Sequence, residues 1–314
     1  MRYRKLGKSG LAVSEIAYGN WLTHGGSVAE DAAIATTRRA FELGVNYFDT
    51  ADAYAHGEAE RVLAKALEPM PRHHVVIATK AFWPQSDDPN DRGLSRKHVI
   101  ESVERSLVRL RTDYVDVFYC HRFDQDTPLD ETLWAIDDLV AQGKVLYGGI
   151  SEWPADEITA AHGVQTRLGL RPLIADQVQY NMLARQIEQD VLPRARDANL
   201  GLVAFSPLAQ GVLTGKYAGG RRPEGSRGAD QRTAQMVERY LDGGERKVQA
   251  LLDVAASASL SITQLALRWV LRLPEVASAL VGASNVPQLE ENLMAADGDL
   301  APDTIQAIEA ALAG

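Results

Sequence analysis

The chain has 314 residues, with 33 Lys and Arg against 42 Asp and Glu, and its formal charge of −9 argues against a nucleic-acid-binding surface. Its 46% hydrophobic and 24% charged content is that of a globular chain with a substantial core, not a disordered one. The single cysteine, Cys120, excludes an intrachain disulfide and any structural metal site made of several thiolates.

The first ten residues carry four basic side chains, but no apolar run comes after them, so no secretory signal is expected and a cytoplasmic setting is the default. Tyr3–Leu6 and Ala12–Ser14 flank Ser9-Gly10 and read as a small hairpin placed to cap one end of the fold. Eight β-rich runs come next: Ile16–Tyr18, Val45–Phe48, Val75–Ala78, Val115–Tyr119, Val145–Ile150, Leu173–Val178, Gly201–Phe205 and Ala279–Val281. Between them apolar residues recur three and four apart over Ala29–Leu43, Glu58–Leu67, Ser95–Leu110, Leu129–Ala141, Ala155–Leu168 and Ile187–Ala198, which predicts helices. Runs such as Val75–Thr79 lack polar alternation, as expected of parallel strands covered on both faces.

This alternation predicts an α/β fold, a (β/α)8 TIM barrel over residues 1–314 as one domain, with an N-terminal β-hairpin at the barrel floor. Ser206 to Gly244, after the seventh strand, is rich in Gly, Pro and Arg and reads as a long functional loop. No strand leads into a G-x-G-x-x-G turn, which counts against an open dinucleotide-binding sheet. The longest uncharged stretch, Ala198–Gly215, is broken by Gly201, Pro207 and Gly211, so no membrane insertion is expected.

In such a barrel, polar residues at the C-terminal ends of strands are the candidates for chemistry. Asp49 ends the second strand, Tyr54 comes five residues later, Lys80 ends the third and His121 the fourth. A lysine ending an apolar strand needs a partner, and Asp49 on the adjacent strand supplies one; alone, the two could be a structural ion pair. With Tyr54 beside the ammonium, the phenol is expected to fall below its usual value of about 10 and to act as a proton donor. His121 can orient a carbonyl, so the four together suit carbonyl reduction. Trp21, Phe82 and Trp83 could wall a substrate pocket, with Asp87–Gly93 over it. Arg122 offers a fork to an anionic substrate, or else pairs with Asp124 or Asp126. His24, His56, His98 and His162 lack ligand spacing, and no metal is expected.

Several segments occur in a characteristic order. They are Tyr3-Arg4-Lys5-Leu6-Gly7-Lys8-Ser9-Gly10-Leu11, Phe48-Asp49-Thr50-Ala51 with Tyr54, Ala78-Thr79-Lys80, Gly93-Leu94-Ser95-Arg96-Lys97-His98, Tyr114-Val115-Asp116, and His121-Arg122 with Thr127-Pro128 beyond it. Phe205-Ser206-Pro207-Leu208, Gly215-Lys216-Tyr217 and Gly282-Ala283-Ser284-Asn285 complete the series. From Tyr3 to about Asn292 the chain resembles the aldo-keto reductases, in the branch containing voltage-gated potassium-channel β-subunits and related bacterial reductases.

The resemblance implies an NADPH-dependent reductase of aldehydes or ketones with Asp49, Tyr54, Lys80 and His121 as its tetrad and Tyr54 as general acid. It places Ser151 and Gln177 at the nicotinamide amide, Phe205 against the nicotinamide ring and Trp21 nearby. The pyrophosphate falls to Ser206, Pro207, Leu208 and Gly211, and the adenosine end to Gly282, Ser284, Gln288, Glu291 and Asn292. Lys216, Arg227 and Ser284 are implied at the adenosine 2′-phosphate. Glu152 stands where many members carry Asn and channel β-subunits carry Arg, whereas His121 is the residue of the active reductases. A homo-oligomer is implied by the resemblance only. The alternative is an NADPH-binding regulatory subunit that reports redox state to a membrane partner.

Overall fold

A computed structural model describes residues 1–313. The chain opens with β1 (Tyr3–Lys5) and β2 (Ala12–Ser14), an antiparallel pair in register Tyr3 to Ser14. Then β3 (Ile16–Gly19), α1 (Glu30–Glu42), β4 (Tyr47–Asp49), α2 (Glu58–Leu67), β5 (Val76–Ala81), α3 (Arg96–Leu110) and β6 (Val115–Cys120) alternate. The alternation continues through α4 (Leu129–Ala141), β7 (Val145–Ser151), α5 (Ala155–Leu168), β8 (Ala175–Gln179), α6 (Val191–Asp197) and β9 (Gly201–Phe205). After β9 come α7 (Ala234–Leu241), α8 (Glu245–Ser257), α9 (Ile262–Leu271), β10 (Val276–Val281), α10 (Val286–Leu293) and α11 (Pro302–Ala313).

Strands β3 to β10 pair in parallel and in sequence, and β10 closes on β3. All eight strand runs read from the sequence are present, and the sheet is the expected (β/α)8 barrel. The long stretch from Ser206 to Gly244 is more ordered than a loop, because it contains α7 as well as short helical turns at Ala209–Thr214 and Ala218–Gly220. Helix α9 lies outside the expected helical segments although its apolar residues Ile262, Leu265, Ala266, Trp269 and Val270 recur three and four apart, with Gln264 and Arg268 on the less buried side. A capping box between Ser261 and Gln264 fixes its start.

Two packed regions hold the barrel together. The larger lies between strands and helices and includes Ile16, Phe48, Phe118, Ile150, Leu202 and Trp269. The smaller fills the barrel near its N-terminal end, where Ala17, Tyr47, Val76, Val117 and Val203 meet Leu6 and Val13 of the hairpin. Gly7 shows why the hairpin can seal this end. It has φ +57°, and a Cβ there would stand 2.4 Å from the Ile174 carbonyl oxygen. A Cβ on Gly201 would stand 2.2 Å from the Gly7 nitrogen, so both backbones must be bare to meet. With the floor shut, the strand C-termini form the open mouth. No single helix among the described residues is long and apolar enough to cross a membrane.

Candidate active site

At the mouth the strand ends deliver their polar residues together. Lys80 is completely buried, and its ammonium donates to Asp49 and, at 2.7 Å, to the Thr50 carbonyl oxygen. Its third reach is to the Tyr54 hydroxyl at 3.4 Å. Gln177, from β8, donates its side-chain amide to Asp49 Oδ2 at 2.7 Å. Burial pushes the Asp49 carboxyl up, opposed by Lys80 and Gln177. For Lys80 burial acts downward, but Asp49 and Tyr54 outweigh it and the ammonium is strengthened.

Tyr54 differs from the sequence expectation in one respect. Its phenol is pushed up, not down, because burial outweighs the downward pull of Lys80 and Arg122. The group is thus a protonated phenol at neutral pH, with the Lys80 ammonium beside its oxygen. His121 meets the Tyr54 ring edge-on, with centroids 5.8 Å apart. Burial, then Lys80 and Arg122, lower its imidazole to about 2, so it is neutral. Its Nδ1 is buried without a partner among the described residues.

Aromatic side chains border these groups. Trp21 lies 6.4 Å from the Tyr54 ring and Trp83 6.2 Å from His121, and both are exposed on their outer sides. Arg122 donates to the His121 carbonyl oxygen at 2.5 Å and places its guanidinium 5.6 Å from the centre of the Trp83 ring. It does not pair with Asp124 or Asp126. Asp124 instead accepts from Leu94 N and from the Thr127 hydroxyl, and the Asp126 amide donates to Asp124. The Asp87–Gly93 segment turns back toward α3, where Asp91 pairs with Arg105.

Ser151 is buried at the end of β7, and Phe205 is half-buried at the end of β9. Glu152 has φ +56° and accepts from Gln179 N at 2.7 Å. One carboxylate oxygen is therefore occupied by the protein's own backbone. Beyond β9, Ser206, Ala209, Gln210 and Gly211 all have positive φ, a strained turn that brings bare backbone to the surface at Gly211. Pro207 is buried beneath this turn and Leu208 half-buried beside it.

The turn meets the basic residues of the same connection. A Cβ on Gly211 would stand 3.0 Å from Lys216 Nζ, which lies 5.4 Å from the centre of the Tyr217 ring. Arg227 donates to Gln210 at 2.5 Å, and Gly228 N donates to the Tyr217 hydroxyl at 3.1 Å. Burial lowers both Lys216 and Arg227, and the Arg227 charge adds to the effect on Lys216. Neither cation has a carboxylate partner among the described residues. Next to Arg227, the Ser226 hydroxyl is buried without a partner among the described residues. Arg222, by contrast, pairs with Glu238.

Ser284 and Gly282 are exposed after β10, where Asn285 caps α10 by accepting from Gln288 N. The Ser284 amide donates to Gln288 Oε1 at 3.1 Å, Glu291 is exposed and Asn292 is buried. No hydrogen bond joins Ser284 to Lys216 or Arg227 among the described residues. Sequence reading missed Gln210, Tyr217 and Ser226, which surround Arg227; only their nearness to Lys216 and Arg227 in the chain could have signalled them.

Two cavities lie around α7 and away from the tetrad. One of about 540 Å³ is bordered by Tyr217, Arg222 and Glu238, the other of about 620 Å³ by Arg185, Arg239 and Lys247. Neither touches Asp49, Tyr54, Lys80 or His121, so the site is defined by its chemistry and not by volume.

Residues 15–313 match the profile of the Aldo/keto reductase family. Over 316 residues the chain is 42% identical to "Probable voltage-gated potassium channel subunit beta" of Oryza sativa subsp. japonica, covering 99% of this chain and 96% of that protein. A protein of the same name from Arabidopsis thaliana is 42% identical over 301 residues, covering 95% of this chain and 92% of that protein. By profile and by relatives alike, the chain belongs to the aldo/keto reductase family.

Proposed function

We propose that the protein reduces aldehydes or ketones to alcohols at the expense of NADPH, with Tyr54 as proton donor. The observation that carries this reading is the triple attachment of Lys80 to Asp49, the Thr50 carbonyl and Tyr54. A buried ammonium so fixed can lower the energy of the tyrosinate formed as the proton leaves. A carbonyl oxygen held between the Tyr54 hydroxyl and the neutral His121 ring receives the Tyr54 proton as its carbon gains hydride. Tyr54 is then reprotonated from solvent.

When bound, the cofactor supplies the hydride. Ser151 and Gln177 are assigned to its amide, Phe205 to its ring face with Trp21 alongside, and Ser206, Pro207, Leu208 and Gly211 to its phosphates. Gln177 fits because its amide nitrogen is committed to Asp49 and its oxygen remains an acceptor. Gly282, Gln288, Glu291 and Asn292 are assigned to the adenosine. Lys216, Arg227 and Ser284 are assigned to the 2′-phosphate, and two half-buried cations without carboxylate partners support that choice. Arg122, also unpaired with acid among the described residues, faces the substrate side with Trp83.

A second reading, a cofactor-binding regulatory subunit, is favoured by the names of the plant relatives. Consumption of NADPH over a panel of aldehydes separates the two. Turnover that depends on Tyr54 supports the reductase; tight cofactor retention without turnover, together with capture of a membrane protein, supports the regulatory subunit.

A further inference from the structure

The segment that carries Tyr54 is held in an unfavourable shape. After Tyr54, Ala55, His56 and Gly57 take successive φ values of 47°, 53° and 82°. Left-handed backbone at two non-glycine residues persists only where the surroundings over-determine it. The hydrogen bonds of Asp52 N to the Lys80 carbonyl and of Tyr54 N to the Ala51 carbonyl, at 3.1 and 3.2 Å, hold the start of the segment.

Helix α3 holds it from behind at two points. Before Tyr54, the Asp52 carboxylate, 1% exposed, accepts from the Ser102 hydroxyl at 2.6 Å. After Tyr54, Gly57 lies against Arg109, whose Cδ would be 2.6 Å from a Cβ on that glycine. Arg109 in turn donates to buried Glu60 at 2.5 Å and to the Ser106 hydroxyl at 3.0 Å. Glu60 accepts from Thr79, the residue before Lys80, at 2.6 Å. The other Asp52 oxygen is buried without a partner among the described residues. A buried carboxyl in this condition costs stability that an apolar side chain of similar size would not, so packing does not account for it.

We infer that Asp52 is a positioning residue for Tyr54: through Ser102 it pins the loop to α3 and keeps the phenol at Lys80. The inference rests on Tyr54 being the proton donor, yet concerns a side chain directed away from the mouth. Burial pushes the Asp52 carboxyl up to about 7, with Ser102 and Arg109 acting downward and Glu60 upward.

The test measures kcat with saturating NADPH and aldehyde, and NADPH affinity by fluorescence, for Asp52→Ala, Asp52→Asn, Ser102→Ala and Tyr54→Phe, singly and combined. Misplacing a proton donor should lower kcat of Asp52→Ala about tenfold or more while NADPH affinity stays within about twofold. Asp52→Asn, which can still bond Ser102, should recover most of that loss. In the Tyr54→Phe background, removing the Asp52 side chain should change the residual rate by less than about twofold, because it acts through the missing hydroxyl. Wild-type kcat in Asp52→Ala, or an equal loss in both backgrounds, overturns the inference. If Asp52→Ala does not fold, Ser102→Ala provides the same comparison of backgrounds with the same two outcomes. Tyr54→Phe with wild-type kcat would overturn the proton-donor reading and this inference together, whereas an inactive Tyr54→Phe beside an unimpaired Asp52→Ala overturns the positioning role alone.

Discussion

Gln177 on β8 reaches across the barrel to Asp49 on β4, donating to Oδ2 at 2.7 Å, and these strands stand opposite one another in the closed ring. Asp49 is therefore held on one oxygen by Lys80 and on the other by Gln177. Gln177→Leu should leave a buried carboxylate oxygen unpaired and cost about 1–3 kcal/mol. Thermal unfolding should show a lower Tm; an unchanged Tm would mean that the bond contributes nothing.

Tyr54→Phe removes the hydroxyl that Lys80 faces and leaves the ring packed against Trp21 and His121. A lost general acid is worth on the order of 10²-fold in kcat or more. NADPH affinity should stay nearly constant, since the hydroxyl is needed only as the proton moves. A single-turnover rate equal to wild type would rule out Tyr54 as the donor.

Arg227→Ala should weaken NADPH selectively. Charge-assisted hydrogen bonds contribute roughly 1.5–3 kcal/mol, and about 1.4 kcal/mol already corresponds to a tenfold preference over NADH. The wild type should show at least that ratio, and the variant should lose much of it while binding NADH as before. Parallel losses for both cofactors in a fluorescence titration would falsify a 2′-phosphate contact.

Arg122 has no acidic partner among the described residues and lies by Trp83, so a negatively charged aldehyde should gain from its fork. Arg122→Leu should lower kcat/KM for an anionic aldehyde about tenfold more than for a neutral one of similar size. The comparison needs only steady-state rates for the two substrates, and equal factors would remove the anion role.

Asp52 should leave a mark on stability as pH changes. Its folded value of about 7 lies above the roughly 3.9 of an unfolded aspartate. Between these values the folded chain holds a proton that the unfolded chain has released. The stabilisation is therefore complete below the unfolded value and is lost as pH rises through the folded one, at up to about 1.4 kcal/mol per pH unit. Urea unfolding of wild type and Asp52→Asn from acid to neutral pH isolates this contribution. The wild-type advantage should shrink as pH rises and level off above neutrality; an advantage that grows with pH contradicts the assignment.

The barrel was legible because most strands are dominated by apolar residues, despite Asp116 in β6 and Asp176 and Gln177 in β8, and most helices keep a polar face, so the alternation of periods survives in the sequence. Helix α9 is legible in the spacing of Ile262, Leu265, Ala266, Trp269 and Val270 although it lies outside the expected helical segments, whereas α7 is hidden because it lies within a stretch whose Gly, Pro and Arg content signals a loop. Asp49, Tyr54, Lys80 and His121 could be grouped from their places at strand ends, and the structure brings them together. The direction of the Tyr54 shift could not be foreseen, because it depends on how much burial opposes Lys80. Arg122 could not be separated from its acidic neighbours by sequence, since adjacency in the chain says nothing about where Asp124 turns.

The hairpin that shuts the barrel floor precedes every strand it serves. Leu6 and Val13 pack with residues from β5, β6, β8, β9 and β10, and Gly7 fits against backbone at Ile174 and Gly201. During synthesis its apolar face must wait, uncovered, until most of the barrel has emerged. Closing contacts so distant in sequence is slow and leaves partly folded species open to association. The cost of this seal is thus kinetic: the chain should depend on dilution, or on a chaperone that shields the hairpin, to reach high folding yield.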